Sequence, residues 1–192
     1  MDSQPKSWEV ELKFHVDSPQ RLESRLQELR FRQTALEQHE DIYLRHPCRD
    51  FKQTDEAFRI RRVNESACLT YKGPRHPGTV KTREEIELEI EFETIAGWTT
   101  MLQRLGFQTV IPVRKSRQIF ESQIPEFSSI KVTIDSVEML GQFAEIETLV
   151  SDQVNLEPEK ARILTLSRSL ELERLEPKSY LGLLLGRVKG LP

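Results

Sequence analysis

Charged side chains recur at every second position along several short stretches of this chain, in types that could act together. Glu9, Glu11 and Lys13 share one parity, as do Arg59 and Arg61, and Lys72 is followed by Arg83, Glu85 and Glu87. Lys115 and Arg117 are two apart, Asp135 alternates with Val132 and Ile134, and Glu145 and Glu147 are again two apart. Carboxylates within about 4–6 Å of one another raise each other's pKa unless a cation lies between them. Glu9, Glu11, Glu145 and Glu147, with Asp135, therefore describe a hard-cation site. There Mg2+ or Mn2+ takes carboxylate oxygens and completes its shell with water and phosphate. Lys13, Arg59, Arg61, Lys72, Lys115 and Arg117 offer ammonium and forked guanidinium donors suited to phosphate oxygens. The combination describes a receptor for a metal–polyphosphate complex. The chain has no glycine-rich phosphate loop, so side chains rather than backbone would have to hold the phosphates.

These residues need elements to carry them. Trp8, Val10, Leu12, Phe14 and Val16 alternate strictly with Glu9, Glu11, Lys13 and His15, the period of a strand with two unlike faces. Asp17-Ser18-Pro19 supplies a cap and a first-turn proline for a helix marked by Leu22, Leu26 and Leu29. Extended stretches are expected to end near Asp41–Leu44, to cover 58–61 and 67–72, and to run over 82–92, where Ile86, Leu88 and Ile90 oppose a row of glutamates. Residues 45–56 and 73–81 read as loops. A second helical stripe, Ile95, Trp98, Met101, Leu102 and Leu105, is closed by Gly106. Strands follow near 112–121, 130–138 and 142–149, then a helix from about Pro158 to Leu175. After Pro177, Tyr180 to Leu185 form a short apolar segment that either covers a barrel end or meets a second subunit in a homodimer.

Two geometries accommodate charge on one face of so many strands. Either an open sheet turns that face to water, or the sheet closes with its apolar face outward under the helices and the charges line a wet lumen. The helices favour closure, because each apolar stripe needs a sheet face to bury against. The expected class is α+β, with an eight-stranded antiparallel closed barrel over 8–149, helices outside it and a C-terminal helical segment over 155–188, all in one domain.

Composition limits the alternatives. Of 192 residues, 37% are hydrophobic and 31% charged, which supports a packed core and argues against wholesale disorder. The net charge of −3 argues against a general nucleic-acid binder. No apolar run is long enough for a bilayer, and no basic-then-apolar leader opens the sequence. Two cysteines, Cys48 and Cys68, fit neither a disulfide framework nor a zinc site, so a reducing cytoplasmic setting is expected. Cys68 shares the parity of Lys72 and reads as an inert filler.

At the charged positions the sequence resembles the CYTH family of class IV adenylyl cyclases and thiamine triphosphatases, also called triphosphate tunnel metalloenzymes. Glu9-Val10-Glu11-Leu12-Lys13 is similar to the family's ExExK signature. The segments Thr54 to Arg61, Leu69 to Pro74, Lys81 to Glu87, Lys115-Ser116-Arg117, and Asp135 to Glu138 running on to Glu145-Ile146-Glu147 are similar to the class IV cyclase branch. Leu44, Phe58 and Met139 depart from that branch without removing a charged position. The resemblance implies a tunnel barrel that binds a triphosphate with divalent metal. It assigns metal to Glu9, Glu11, Glu145 and Glu147 with Asp135 in support. It assigns the phosphates to Lys13, Arg59, Arg61, Lys115 and Arg117 and places Lys72 beside the reacting groups; Arg83 is expected to join the phosphate set, with Glu85 and Glu87 supporting. The reactions it implies are conversion of ATP to cyclic AMP and pyrophosphate, or hydrolysis of thiamine triphosphate, inorganic triphosphate or a nucleoside triphosphate.

Overall fold

A computed structural model describes residues 7–151 and 155–189; the polar leader before Ser7 lies outside them. The strands are β1 (Ser7–His15), β2 (Phe31–Arg45), β3 (Ala57–Val63), β4 (Ser66–Lys72), β5 (Lys81–Ile90), the two-residue β6 (Gln108–Thr109), β7 (Val113–Ser122), β8 (Lys131–Val137) and β9 (Gly141–Val150). The helices are α1 (Pro19–Glu28), α2 (Ile95–Arg104), α3 (Leu156–Ser169) and α4 (Tyr180–Lys189). Strands run β3-β4-β5-β1-β9-β8-β7-β2, and β2 pairs back onto β3, so eight antiparallel strands close a barrel. The small β6 sits beside the end of β2.

Closure follows from the two faces of the strands. Val10, Leu12 and Phe14 of β1, Val132 and Ile134 of β8, and Ala144 and Ile146 of β9 point outward. There they are buried against Leu22 and Leu26 of α1 and Ile163 and Leu166 of α3. Ile95 and Leu102 of α2 cover Leu44, Ile60 and Ala67 in the same way. The main apolar core therefore lies between barrel and helices, leaving the charged parity inside. A separate cluster of Tyr43, Val113, Val137 and Phe143 narrows one end of the lumen from within, and Tyr180 and Leu184 of α4 seat against it.

Ser18 caps α1, its hydroxyl accepting from the Arg21 amide at 3.4 Å. Gly106, at φ +94°, ends α2 with its amide bonded to the Gln103 carbonyl and that of Phe107 to the Leu102 carbonyl. One expectation is corrected: the third helix stops at Ser169, not near Leu175. Glu171 turns left-handed (φ +56°), and the Glu171 and Leu172 amides close on the Arg168 and Ser167 carbonyls. This is the same terminating motif without its usual glycine, so the sequence carries no stop signal. Leu172 and Leu175 continue a helical spacing, but the chain is extended there and pairs with β1. Among the described residues no helix is long and apolar enough to cross a membrane.

Candidate active site in the barrel lumen

A cavity of about 1420 Å³ runs through the barrel, and every residue singled out by charge alternation except Asp135 lines it. The register explains why. Glu11 on β1 lies opposite Glu147 on β9 and Lys81 on β5, Lys13 opposite Glu145, and Glu9 opposite Arg83. On the far wall Arg117 of β7 faces Asp135 of β8, and Arg61 of β3 faces Asp41 of β2. Antiparallel pairing of strands with equal parity puts these side chains on one inner surface.

Three ionic clusters result. In the first, Lys72 Nζ lies 2.6 Å from both Glu9 oxygens and 3.2 Å from Glu85, while Lys81 Nζ bonds Glu11 at 2.8 Å. Lys13 Nζ is 3.3 Å from Glu145 and 3.9 Å from Glu11. In the second, Asp135 accepts from Arg117 Nε (2.7 Å) and Nη2 (2.6 Å), from Lys115 Nζ (2.8 Å) and from the Tyr180 hydroxyl (2.9 Å). Arg117 also donates to Glu145. In the third, Asp41 accepts from Arg61 at 2.6 and 2.8 Å and from Arg59 at 3.1 Å, and Arg59 also reaches the Tyr43 hydroxyl at 3.3 Å. Glu87 accepts from Thr70 at 3.1 Å.

Burial and pairing set the charges. Burial alone would raise the Asp41, Asp135 and Glu145 carboxyls, but the adjacent cations outweigh it: Arg59 and Arg61 hold Asp41 below the usual range, and Arg117 and Lys115 do the same for the other two. Lys115 also falls, to about 8, but here the charged form is the one disfavoured, by burial and by Arg117. His39 is buried beside Arg61, Lys115 and Arg117 and drops to about 2, so it is neutral, bonded to Glu37 at 2.6 Å. Cys68 lies 3.7 Å from the Thr70 hydroxyl, its thiol raised chiefly by burial, which fits the inert reading.

Two features point to missing ligands. Among the described residues the buried Nε–H groups of Arg59 and Arg83 make no hydrogen bond, although Arg83 Nε lies 3.6 Å from a Glu9 oxygen, and an anion in the lumen would satisfy both. Among the described residues the one cation within ion-pair distance of Glu147 is Arg117, Nη1 at 3.9 Å. Burial lifts its carboxyl to about 7; Arg117 opposes this, and Glu145, Glu9 and Glu11 add to it. Crowded carboxylates of this kind suit a hard cation. Among the described residues no three acidic or imidazole groups stand ready to enclose a metal as they point. The reason is that Glu9, Glu11 and Glu145 are turned onto Lys72, Lys81, Lys13 and Arg117. The oxygen donor set fits a divalent cation in its chemistry, with Glu147 the member least engaged.

The Glu147 shift has a stability consequence. Its folded pKa exceeds its unfolded value, so the folded state holds the extra proton between about pH 4.5 and 7, and the group's contribution declines as pH rises through that window. His39 acts oppositely, its depressed pKa making stability rise towards pH 6.5. The comparison that isolates Glu147 is with Glu147→Gln. In denaturant titrations without metal, the variant is expected to gain on the wild type from pH 5 to 7, and a constant difference would refute the shift.

Sequence reasoning missed several lumen residues. Asp41, Tyr43, Lys81 and Tyr180 all touch the clusters above. Asp41 and Tyr43 were legible in the alternation Glu37-His39-Asp41-Tyr43, and Lys81 in its parity with Arg83 and Glu85. Tyr180 had no such signal. Asp135, expected among metal ligands, has no exposed surface and has both oxygens taken by Arg117, Lys115 and Tyr180.

Comparison with known proteins agrees with this architecture. A CYTH domain model matches residues 7–180. A Methanocaldococcus jannaschii protein named "Putative adenylate cyclase" is 36% identical over 177 residues, covering 91% of this chain and 97% of its own. The structure of a Pyrococcus horikoshii protein is 41% identical and superposes with a TM-score of 0.83, covering 93% of this chain and 99% of its own. A Hippeastrum protein, described as having a dominant triphosphatase activity, shares the fold at 17% identity and a TM-score of 0.64, with 97% of each chain covered. Family membership implies a divalent metal and a small triphosphate ligand. With the lumen, its two kinds of charge and the match over nearly all of the barrel in agreement, the chain belongs to the CYTH family.

Proposed function

We propose that this protein is a metal-dependent enzyme acting on a triphosphate in the lumen, converting ATP to cyclic AMP and pyrophosphate. The observation that carries this reading is the convergence, in one cavity, of carboxylates on β1 and β9 with cations on β1, β3, β4 and β7, among them Arg59, whose buried Nε–H makes no hydrogen bond to the described residues. The cavity is larger than a triphosphate requires and leaves room for an organic group. Similarity to the class IV cyclase motifs and to the M. jannaschii protein favours ATP.

In this reading Arg59, Arg61, Arg83, Lys115 and Arg117, with Lys13, hold the phosphate oxygens and offset the charge that develops during transfer. Asp41 and Asp135 fix the orientations of those cations rather than meeting substrate. Glu9, Glu11, Glu145 and Glu147 would hold Mg2+ or Mn2+, which supplies Lewis-acid polarisation of the phosphates and of the attacking hydroxyl. Lys72, held between Glu9 and Glu85, is placed to steady the reacting group. The ribose 3′-hydroxyl releases its proton to water as its oxygen bonds to the α-phosphorus, the bond from that phosphorus to the oxygen bridging to the β-phosphorus breaks, and pyrophosphate leaves.

The second reading is a triphosphatase, in which water attacks the terminal phosphorus. The shared fold with the Hippeastrum protein supports it, because the same charged wall serves either choice of phosphorus. Incubation with ATP, thiamine triphosphate or inorganic triphosphate, under Mg2+ and then Mn2+, decides between them. Cyclic AMP with pyrophosphate is the expected result, and orthophosphate release would transfer the assignment to the triphosphatase. Thermal stabilisation by triphosphate without turnover would make the protein a binding module. Neither turnover nor stabilisation would overturn the lumen assignment altogether.

A further inference from the structure

The chain between α3 and α4 is tied to the lumen through backbone and side chain. The His15 amide donates to the Arg174 carbonyl at 2.9 Å and the Glu176 amide to the Lys13 carbonyl at 2.7 Å, with Phe14 and Leu175 bridged between them. β5 reaches along β1 only as far as Lys81 opposite Glu11, so this strap occupies the length of β1 that β5 leaves unpaired. Its course delivers the next residues to the basic wall. The Lys178 carbonyl accepts from Lys13 Nζ at 3.2 Å. The Tyr180 ring centre lies 4.0 Å from Lys13 Nζ and 5.1 Å from Lys115 Nζ, and its hydroxyl donates to Asp135 at 2.9 Å. Phe143 sits at 5.1 Å against the same ring, and Tyr180 is 6% exposed.

These contacts differ in kind from the carboxylate pairs elsewhere in the lumen. A carboxylate holds an ammonium group by cancelling its charge, whereas an aromatic face attracts the cation through its quadrupole and leaves the full charge in place. Lys13 and Lys115, which also pair with Glu145 and Asp135, are thus further restrained by a group that does not compete with an incoming anion. The hydroxyl, meanwhile, occupies a lone pair of Asp135 that would otherwise draw harder on Lys115 and Arg117. Neither effect requires Tyr180 to touch a ligand.

We infer that Tyr180 is a positioning residue of the phosphate-binding wall, its ring holding Lys13 and Lys115 and its hydroxyl setting Asp135 so that these cations remain available to an anion. This rests on the reading of the lumen as a triphosphate receptor. The test is calorimetric titration of the full chain, with Mg2+ present, by the bis-methylene analogue of inorganic triphosphate, whose P–C–P bridges cannot break. Tyr180→Phe keeps the ring and loses only the hydroxyl, and affinity is expected to fall about threefold, with an unchanged melting temperature. Tyr180→Leu loses both, and the fall is expected to reach about twentyfold, so that phenylalanine restores most of what leucine removes. A purely structural tyrosine would lower the melting temperature in both variants and leave the affinity of the folded protein alone. Wild-type affinity in both variants would overturn the positioning role while leaving the receptor reading intact. Failure of the wild type to bind the analogue would overturn the receptor reading, and this role with it.

Discussion

Turnover of the triphosphate substrate is expected to fall about 10³-fold in Glu147→Gln, equivalent to about 4 kcal/mol of transition-state stabilisation, while the folded state becomes no less stable at neutral pH. The two halves have one cause. Among the described residues Glu147 has no ion-pair partner apart from Arg117 at 3.9 Å, and it stands among Glu145, Glu9 and Glu11. A carboxylate kept in such company weakens the fold unless a cation binds beside it. Glutamine keeps the shape, removes the repulsion and removes the anionic donor. Mn2+ binding, followed by calorimetry without substrate, should weaken in parallel. Wild-type turnover in this variant would remove Glu147 from the metal site.

Asp135→Ala should do the reverse, acting on the fold first. Its carboxylate has no exposed surface and takes hydrogen bonds from Lys115, Arg117 and Tyr180. Deleting it leaves two cations buried without their main counter-charge, a change of about 3–5 kcal/mol in systems of this kind. Lys115, already lowered to about 8, would shed its proton and absorb part of the penalty. Urea titration at pH 7 measures the loss, and one under about 1 kcal/mol would show that Asp135 does not clamp the basic wall. Asp135→Asn separates clamp from ligand. If Asp135 only positions cations, this variant keeps wild-type Mn2+ affinity, and a loss comparable to that of Glu147→Gln would place Asp135 beside the metal.

The barrel was readable in the sequence because its strands have two unlike faces, and the helices needed the apolar one. Alternation gives parity, and parity was enough to place Glu9, Glu11, Lys13, Arg59, Arg61, Lys72, Lys115, Arg117, Glu145 and Glu147 on one surface. It does not give pairing. That Glu9 meets Lys72 while Glu11 meets Lys81 depends on the relative slide of β1, β4 and β5, which no local pattern encodes. Asp41 was passed over because β2 is long and reads as mixed until its last turns of alternation. Asp135 has the parity of a ligand, yet its oxygens are consumed by neighbours. The end of α3 escaped because Glu171 adopts a left-handed conformation that glycine or asparagine would have announced. Tyr180 lies in an apolar run read as covering a barrel end or meeting a second subunit, and only a non-local contact makes it part of the site.

The strap over Arg174–Glu176 also has a kinetic meaning. His15 and Arg174 are joined by a backbone bond although nearly the whole chain separates them. Topologies that depend on such distant partners assemble slowly, since entropy is lost long before contacts repay it. During synthesis β1 emerges before its partners and waits for the strap until the ribosome has made the rest of the barrel. Through that interval one margin of the nascent sheet offers unclaimed amides and carbonyls, a template on which another chain can add. Lys13, on that margin, would then serve as a deterrent to misassembly before it serves any ligand.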